Sequence, residues 1–140
     1  MDVSPIVTRL QAQLTGFVSI GASADADAAI DNAPATPAAY VVPLTETPDA
    51  PDLVGVHHQR LAQAFAVVLV VSNLRDVTGA AAAAELAAKR TALKAALLGW
   101  VPDASNAEAV AFAGGALLQF RDQRLWWRDV FTVMTDYRSA

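Results

Sequence analysis

The chain has 140 residues, which on length alone gives one domain large enough to build its own core. Apolar residues make up 54% and charged residues only 17%, against about 25% charged in ordinary domains, so part of the apolar surface is expected to be shared with a partner. The net charge of −4 argues against nucleic acid as a main partner, and the absence of cysteine excludes disulfides and thiolate metal sites.

The charge is unevenly spread. Residues 1–60 carry seven acids and two bases, a balance of −5, whereas residues 61–140 carry seven acids and eight bases, a balance of +1. Such asymmetry suits one surface of a subunit meeting a different surface of its neighbour. The opening Met-Asp-Val-Ser-Pro has neither the basic nor the apolar region of a signal peptide, so none is expected. The most apolar run, Ala64 to Val71, is too short to span a bilayer as a helix, and no membrane partner is expected.

Ser4-Pro5 predicts a helix start, with Ser4 as the cap and Pro5 at the first position, where its missing N–H costs nothing. Ile6, Leu10 and Leu14 recur at four-residue intervals and predict about three amphipathic turns. Gly16 is a suitable stop, and Phe17 to Ile20 is a candidate strand. Ser23 to Asp31 predicts one or two helical turns capped by Ser23. Its aspartates do not make a calcium loop. Counted from Asp25, position six is Ile30 instead of glycine and position twelve is Thr36 instead of glutamate.

Ala38 to Leu44 reads as a strand, with Pro43 placing its end at an edge or a bulge. Thr45 to Gly55 is rich in proline and aspartate and shows no periodicity, so it is expected to be a loop. Val56 to Val71 predicts a long strand. Its first half is polar enough to project, and its second half, Phe65 to Val71, is apolar on both pleat faces, which requires a central position in a sheet with material on each side. Gly79 to Leu98 predicts the long helix. Leu86, Leu93 and Leu97 mark its buried stripe with Arg90 between them, and Glu85 and Lys89 are spaced for an ion pair.

Val110 to Arg138 predicts a terminal hairpin turning at Asp122-Gln123. In that register positions summing to 245 are paired. One face then holds Phe120, Leu118, Leu125, Trp127, Ala116, Asp129, Gly114 and Phe131, and reads as core. The other holds Leu117, Gln119, Trp126 and Arg128, the composition of a protein–protein contact surface. Gly114-Gly115 inside the first arm reads as a bulge or a close backbone approach. The fold class that follows is α+β: a two-layer sandwich with a mostly antiparallel or mixed sheet of four or five strands, helices on one face, and a C-terminal hairpin, spanning residues 1–140 as a single domain.

The chemistry is sparse. His57-His58 on a strand point to opposite faces and cannot grip one metal together. There is no nucleophile elbow, no phosphate-binding glycine loop, and no carboxylate pair in contexts that would separate their pKa values. No catalytic residue, metal ligand or cofactor is expected. Arg121, Arg124 and Arg128 beside Trp126-Trp127 have the makings of a nucleic-acid stacking platform, but Asp122, Asp129 and Asp136 offset most of that charge.

Several blocks in their order resemble the phage tail terminator family. They are Ser4-Pro5-Ile6-Val7 with Arg9-Leu10, Ala38 to Leu44, and Phe65 to Asn73 followed by Arg75-Asp76. Ala95 to Trp100 with Pro102, and Gly115, Leu117-Leu118, Leu125 to Trp127, Asp129 and Phe131, complete the set. The resemblance implies a small structural α+β subunit that forms a homo-oligomeric ring, expected as a hexamer, on the last ring of a tail tube. It implies the tube protein and head-completion or neck proteins as partners, a place at the head-proximal end of the virion tail, and host cytoplasm during assembly. The alternatives are another neck or tail component, or a small ligand-binding α+β domain. Within the ring reading, Leu117, Gln119, Trp126 and Arg128 are the expected subunit contact, and Glu46, Asp49 and Asp52 mark a loop expected to order on assembly.

Overall fold

The computed structural model describes residues 1–31, 35–50, 58–72, 80–105, 107–121 and 123–138. Its elements, in chain order, are α1 (Ser4–Gln13), β1 (Ser19–Ala22), α2 (Ala26–Asp31), β2 (Ala38–Pro48), β3 (His58–Ser72), α3 (Ala80–Leu97), β4 (Ala111–Arg121) and β5 (Arg124–Arg138). The strands form one mixed sheet in the order β1-β2-β3-β5-β4. β1 runs parallel to β2, and every other pairing is antiparallel. The fold class is the expected α+β.

β3 is central because its sequence allows nothing else. Each residue from Phe65 to Val71 is at most 1% exposed. The odd-numbered residues Phe65, Val67, Leu69 and Val71 join Ala39, Val41, Phe131 and Val133 in a core under α1 and α3. The even-numbered Ala66, Val68 and Val70 join Ala38, Val42 and Trp126 in a smaller cluster on the opposite face. A strand apolar on both pleats needs cover on both sides, and it has it. Ile30 of α2 packs against the second cluster, so the short helix lies across the sheet from the two longer ones. The expectation of helices on one face therefore holds for α1 and α3 and not for α2.

Local chemistry sets the helix ends. α1 begins one residue earlier than Ser4-Pro5 suggested: Val3 is the cap residue, and the Asp2 carboxylate accepts the Ser4 N–H at 2.9 Å. Hydrogen bonding from the Ser4 side chain, and then from its backbone N–H, holds the Asp2 carboxyl below the usual carboxylate value. α2 is capped by Asp25, whose Oδ1 accepts the Ala28 N–H at 2.7 Å, while Ser23 Oγ donates to the Asp25 carbonyl. Asp25 wins over Ser23 because it sits three residues before the N–H it accepts. α3 buries Ala82, Leu86, Leu93, Ala96 and Leu97 on the sheet. α1 is locked to its end: Arg9 Nε donates to the Ala96 carbonyl at 3.0 Å, and its guanidinium lies over the Trp100 ring. Lys89 donates to the Gly16 carbonyl at 3.2 Å and lies over Phe17, fastening α3 to the α1–β1 connection.

The stretch from Thr45 was expected to be loop. Thr45 to Pro48 instead continue β2, paired with Leu61 to Ala64, after a bulge that leaves Leu44 without a partner in the β3 register. Asp49 extends the pairing, its N–H donating to the Arg60 carbonyl at 2.8 Å. Proline and aspartate misled because a two-strand edge tolerates both: Pro43 flanks the bulge and Pro48 ends the strand. With the far end of β5 these strands form an arm bound by side chains. Gln63 donates to Glu46 at 2.9 Å, and Arg60 pairs with Glu108 and, at 3.7 Å, with Asp136.

Candidate assembly surfaces

The β4–β5 hairpin turns where expected, with Gln123 in the left-handed region at φ 61°. The register of 245 holds for three pairs, Arg121 with Arg124, Phe120 with Leu125 and Gln119 with Trp126. It then fails. A bulge between Leu117 and Gln119 pairs Leu117 with Trp127, and a second between Phe112 and Gly114 pairs Phe112 with Phe131. Each bulge adds one residue to β4 and exchanges the faces of everything beyond it.

The four residues expected to share one contact face are therefore divided. Leu117 lies on the α3 side and is 53% exposed, while Leu118 packs with the cluster on the opposite face. Trp126 belongs to that same opposite cluster and is only 2% exposed, so its indole supports the face from within. Gln119, opposite Trp126, and Arg128, opposite Ala116 and Val68, are half-buried. Arg128 Nε is buried and finds no hydrogen-bond partner among the described residues, on a face whose neighbours are mostly aliphatic. Of the three acids expected to mark an assembly loop, Glu46 lies in β2 and receives the Met1 ammonium at 3.1 Å. Asp49 follows β2, its carbonyl accepting Gln59 Nε2 at 2.6 Å. Asp52 lies outside the described residues, as do His57 and the His58 side chain.

The centre of the α3 side is a buried charged clasp. Asp129 is fully buried, and its carboxylate accepts Arg90 Nε at 3.0 Å, Arg90 Nη2 at 2.9 Å and Trp127 Nε1 at 2.9 Å. The guanidinium also lies over the Trp127 ring, 4.5 Å from its centroid. A buried carboxylate needs this many donors to offset its lost hydration. Gly115 makes room for it: a Cβ there would overlap Asp129 Oδ1 and stand 2.8 Å from Trp127 Nε1. The close approach expected of Gly114-Gly115 is thus at Gly115, while Gly114, at φ 124°, flanks the bulge at Ala113. The signal was present in the sequence as one base on the apolar stripe of α3 and one acid on the core face of the hairpin.

Beside this clasp runs an open groove of about 340 Å³ between α3 and the hairpin, lined by Ala83, Leu86, Ala87, Arg90, Leu117, Leu125 and Trp127. Its lining is almost wholly apolar, with Arg90 its one charged member. β4 is the outer strand here, and its large apolar residues Phe112, Leu117 and Phe120 are 38%, 53% and 40% exposed. Among the described residues no three His, Cys, Asp or Glu side chains group as metal ligands, and no helix is long and apolar enough to cross a membrane.

Comparison with known proteins agrees with the resemblance read from the sequence. A search of curated proteins returns no match. The model of one family, described as phage tail terminator protein, matches residues 1–140, the whole chain. A five-stranded mixed sheet backed by two helices and edged by a long, apolar outer strand is thus the form taken here by a member of the phage tail terminator family.

Proposed function

We propose that the protein closes into a ring, expected as a hexamer, on the last ring of a completed tail tube. There it stops tube polymerisation and offers the surface to which head-completion proteins join. Family membership across residues 1–140 carries this reading. The physical character of the molecule supports it. Charge is low, three large apolar side chains stand exposed on one outer strand, and Arg128 carries a buried donor without a partner among the described residues. Each is a cost to an isolated subunit that an assembly can relieve. The role is structural, with no catalytic step and no cofactor, at the head-proximal end of the virion tail after assembly in the host cytoplasm.

Leu117, Gln119 and Arg128 are proposed to meet neighbouring subunits from the two sides of the hairpin, with Trp126 holding the second side in shape. Glu46 and Asp49, together with Asp52, which lies outside the described residues, are proposed to mark a segment that orders on assembly. The test is genetic and direct. Tails made without this protein should run past their normal length and fail to join heads, and supplying the protein should restore both. Tails of normal length joined to heads in its absence would refute the reading. Electron microscopy of the purified protein separates a closed ring from the long tube of a tube-forming subunit.

A further inference from the structure

β4 is the last strand of the sheet and pairs only with β5 among the described residues. Charge and proline, which commonly guard such an edge, are almost absent from it: its eleven residues hold no acid and no proline, and the one charge is the terminal Arg121. Its two bulges decide what the edge presents. Strict alternation would place Phe112 and Phe120 on one pleat face and Leu117 on the other. With the bulges, Phe112 meets the Phe131 ring edge-on, Leu117 pairs with Trp127 and Phe120 pairs with Leu125, so all three stand on the α3 face. Gly115, opposite Asp129, shares that face. The other edge of the sheet offers no comparable ladder, since β1 has four residues and its Ile20 carbonyl accepts Gln11 Nε2 at 2.9 Å.

We propose that β4 pairs antiparallel with β4 of a second copy, about a two-fold axis at Ala116, and that this pair is the form of the chain before it enters a ring. The order of residues along the strand singles out this partner. Reversed about Ala116, Phe112 falls opposite the partner's Phe120, and Leu117 falls opposite the partner's Gly115. Phenylalanine thus meets phenylalanine on each side of the axis, and the projecting leucine meets a position with no side chain. The bulges lie on either side of Ala116, so each bulged stretch meets the other one of the partner, and the α3-face residues stay on one face throughout. Arg121 falls opposite the partner's Ala111, which keeps the two guanidinium groups at opposite ends of the ladder. Such a contact uses the same patch on both copies and closes with two, whereas a ring repeats a contact between unlike patches. The pairing therefore stands apart from the ring reading, and β4 leaves it when Leu117 meets a ring neighbour.

The test uses the full chain, which has no cysteine, so one introduced thiol reports the contact. In Ala116→Cys the two thiols lie on the axis, where directly opposed Cα atoms are about 4.5–5.5 Å apart, within disulfide range. Mild oxidation should give a covalent dimer of twice the 14.7 kDa chain mass. Ala111 is likewise an exposed β4 residue. In Ala111→Cys, however, the two thiols stand roughly 30 Å apart and should link about tenfold more slowly or less. Ala111→Cys mixed with Arg121→Cys should link to each other. Both 111 and 116 are exposed alanines, so the variants should keep the parent's circular dichroism. Leu117→Lys places on the edge the residue type that natural edges use against pairing, and it should weaken the dimer seen by sedimentation about tenfold or more. Failure of Ala116→Cys to link, or equal linking of Ala111→Cys, would overturn the pairing. Unweakened dimers of Leu117→Lys, or a mixture of the two end variants that does not link, would overturn its register. None of these results bears on the ring reading, which is tested on the tails.

Discussion

Gly115→Ala is the sharpest probe of the hairpin. The added Cβ would overlap Asp129 Oδ1, the oxygen that accepts both Arg90 Nη2 at 2.9 Å and Trp127 Nε1 at 2.9 Å. The carboxylate cannot simply swing aside, because Asp129 is fully buried. Either β4 moves away from β5 or the charge-assisted bonds lengthen. Losing one such bond costs about 1.5–3 kcal/mol, and separating a buried pair outright costs about 3–5 kcal/mol. The expected loss for Gly115→Ala is therefore about 2–4 kcal/mol, measured as the shift in urea unfolding free energy. For a chain of this size that lowers the melting midpoint by roughly 6–15 °C. Gly21→Ala is the control, since a Cβ at Gly21 meets nothing within 4 Å. It should change stability by less than about 0.5 kcal/mol. The cause is isolated by repeating Gly115→Ala in an Asp129→Ala background, where most of the penalty should vanish. A Gly115→Ala protein as stable as the parent, or a penalty unchanged without Asp129, would refute the argument from close approach.

The remaining expectations are simpler. Asp2→Ala should destabilise α1 at neutral pH but much less in acid. The folded carboxyl titrates below its unfolded value, so its contribution is present above the ordinary aspartate range and fades as pH falls below it. A thermal midpoint difference between Asp2→Ala and parent that stays constant down to about pH 2 would contradict this. Leu93→Ala, at a site fully buried between α3 and the sheet, should cost about 2–5 kcal/mol in chemical denaturation. Arg128→Met should leave the subunit's stability unchanged or raise it by up to about 1 kcal/mol, because it removes an unsatisfied donor while keeping the aliphatic stem. A clear loss of stability in Arg128→Met would show that the guanidinium is partnered.

The parts of the fold that could be read from the sequence are those set by many residues at once. Seven consecutive apolar residues in Phe65 to Val71 demand a central strand, and one misread residue would not change that. The Leu86, Leu93, Leu97 stripe likewise places α3. What could not be read depends on single backbone choices. No residue type announces the bulge between Leu117 and Gln119, yet it exchanges Leu117 with Leu118 and so moves Leu117, one of the four expected contact residues, to the other side. Thr45 to Pro48 pair because β3 offers a ready edge, a tertiary gain that local propensity does not register. The clasp around Asp129 joins residues 39 apart in sequence: each side shows as a charge on an apolar face, but only the packing of α3 on the hairpin brings the two together.

The arm built from β2, β3 and β5 also follows from a mismatch of rulers. Fifteen residues each of β3 and β5 extend about 50 Å at 3.3 Å per residue. The eighteen residues of α3 reach only about 27 Å at 1.5 Å per residue. Roughly 20 Å of sheet must therefore overhang the longest helix, because the two periodicities cannot be matched at these lengths. Burial cannot hold an overhang together. This explains why that end is written in glutamine, arginine, glutamate and aspartate, and why Arg60 is shared between Glu108 and Asp136. Exposed ion pairs hold that end, so the beam beyond α3 is coupled to salt and solvent in a way the core is not.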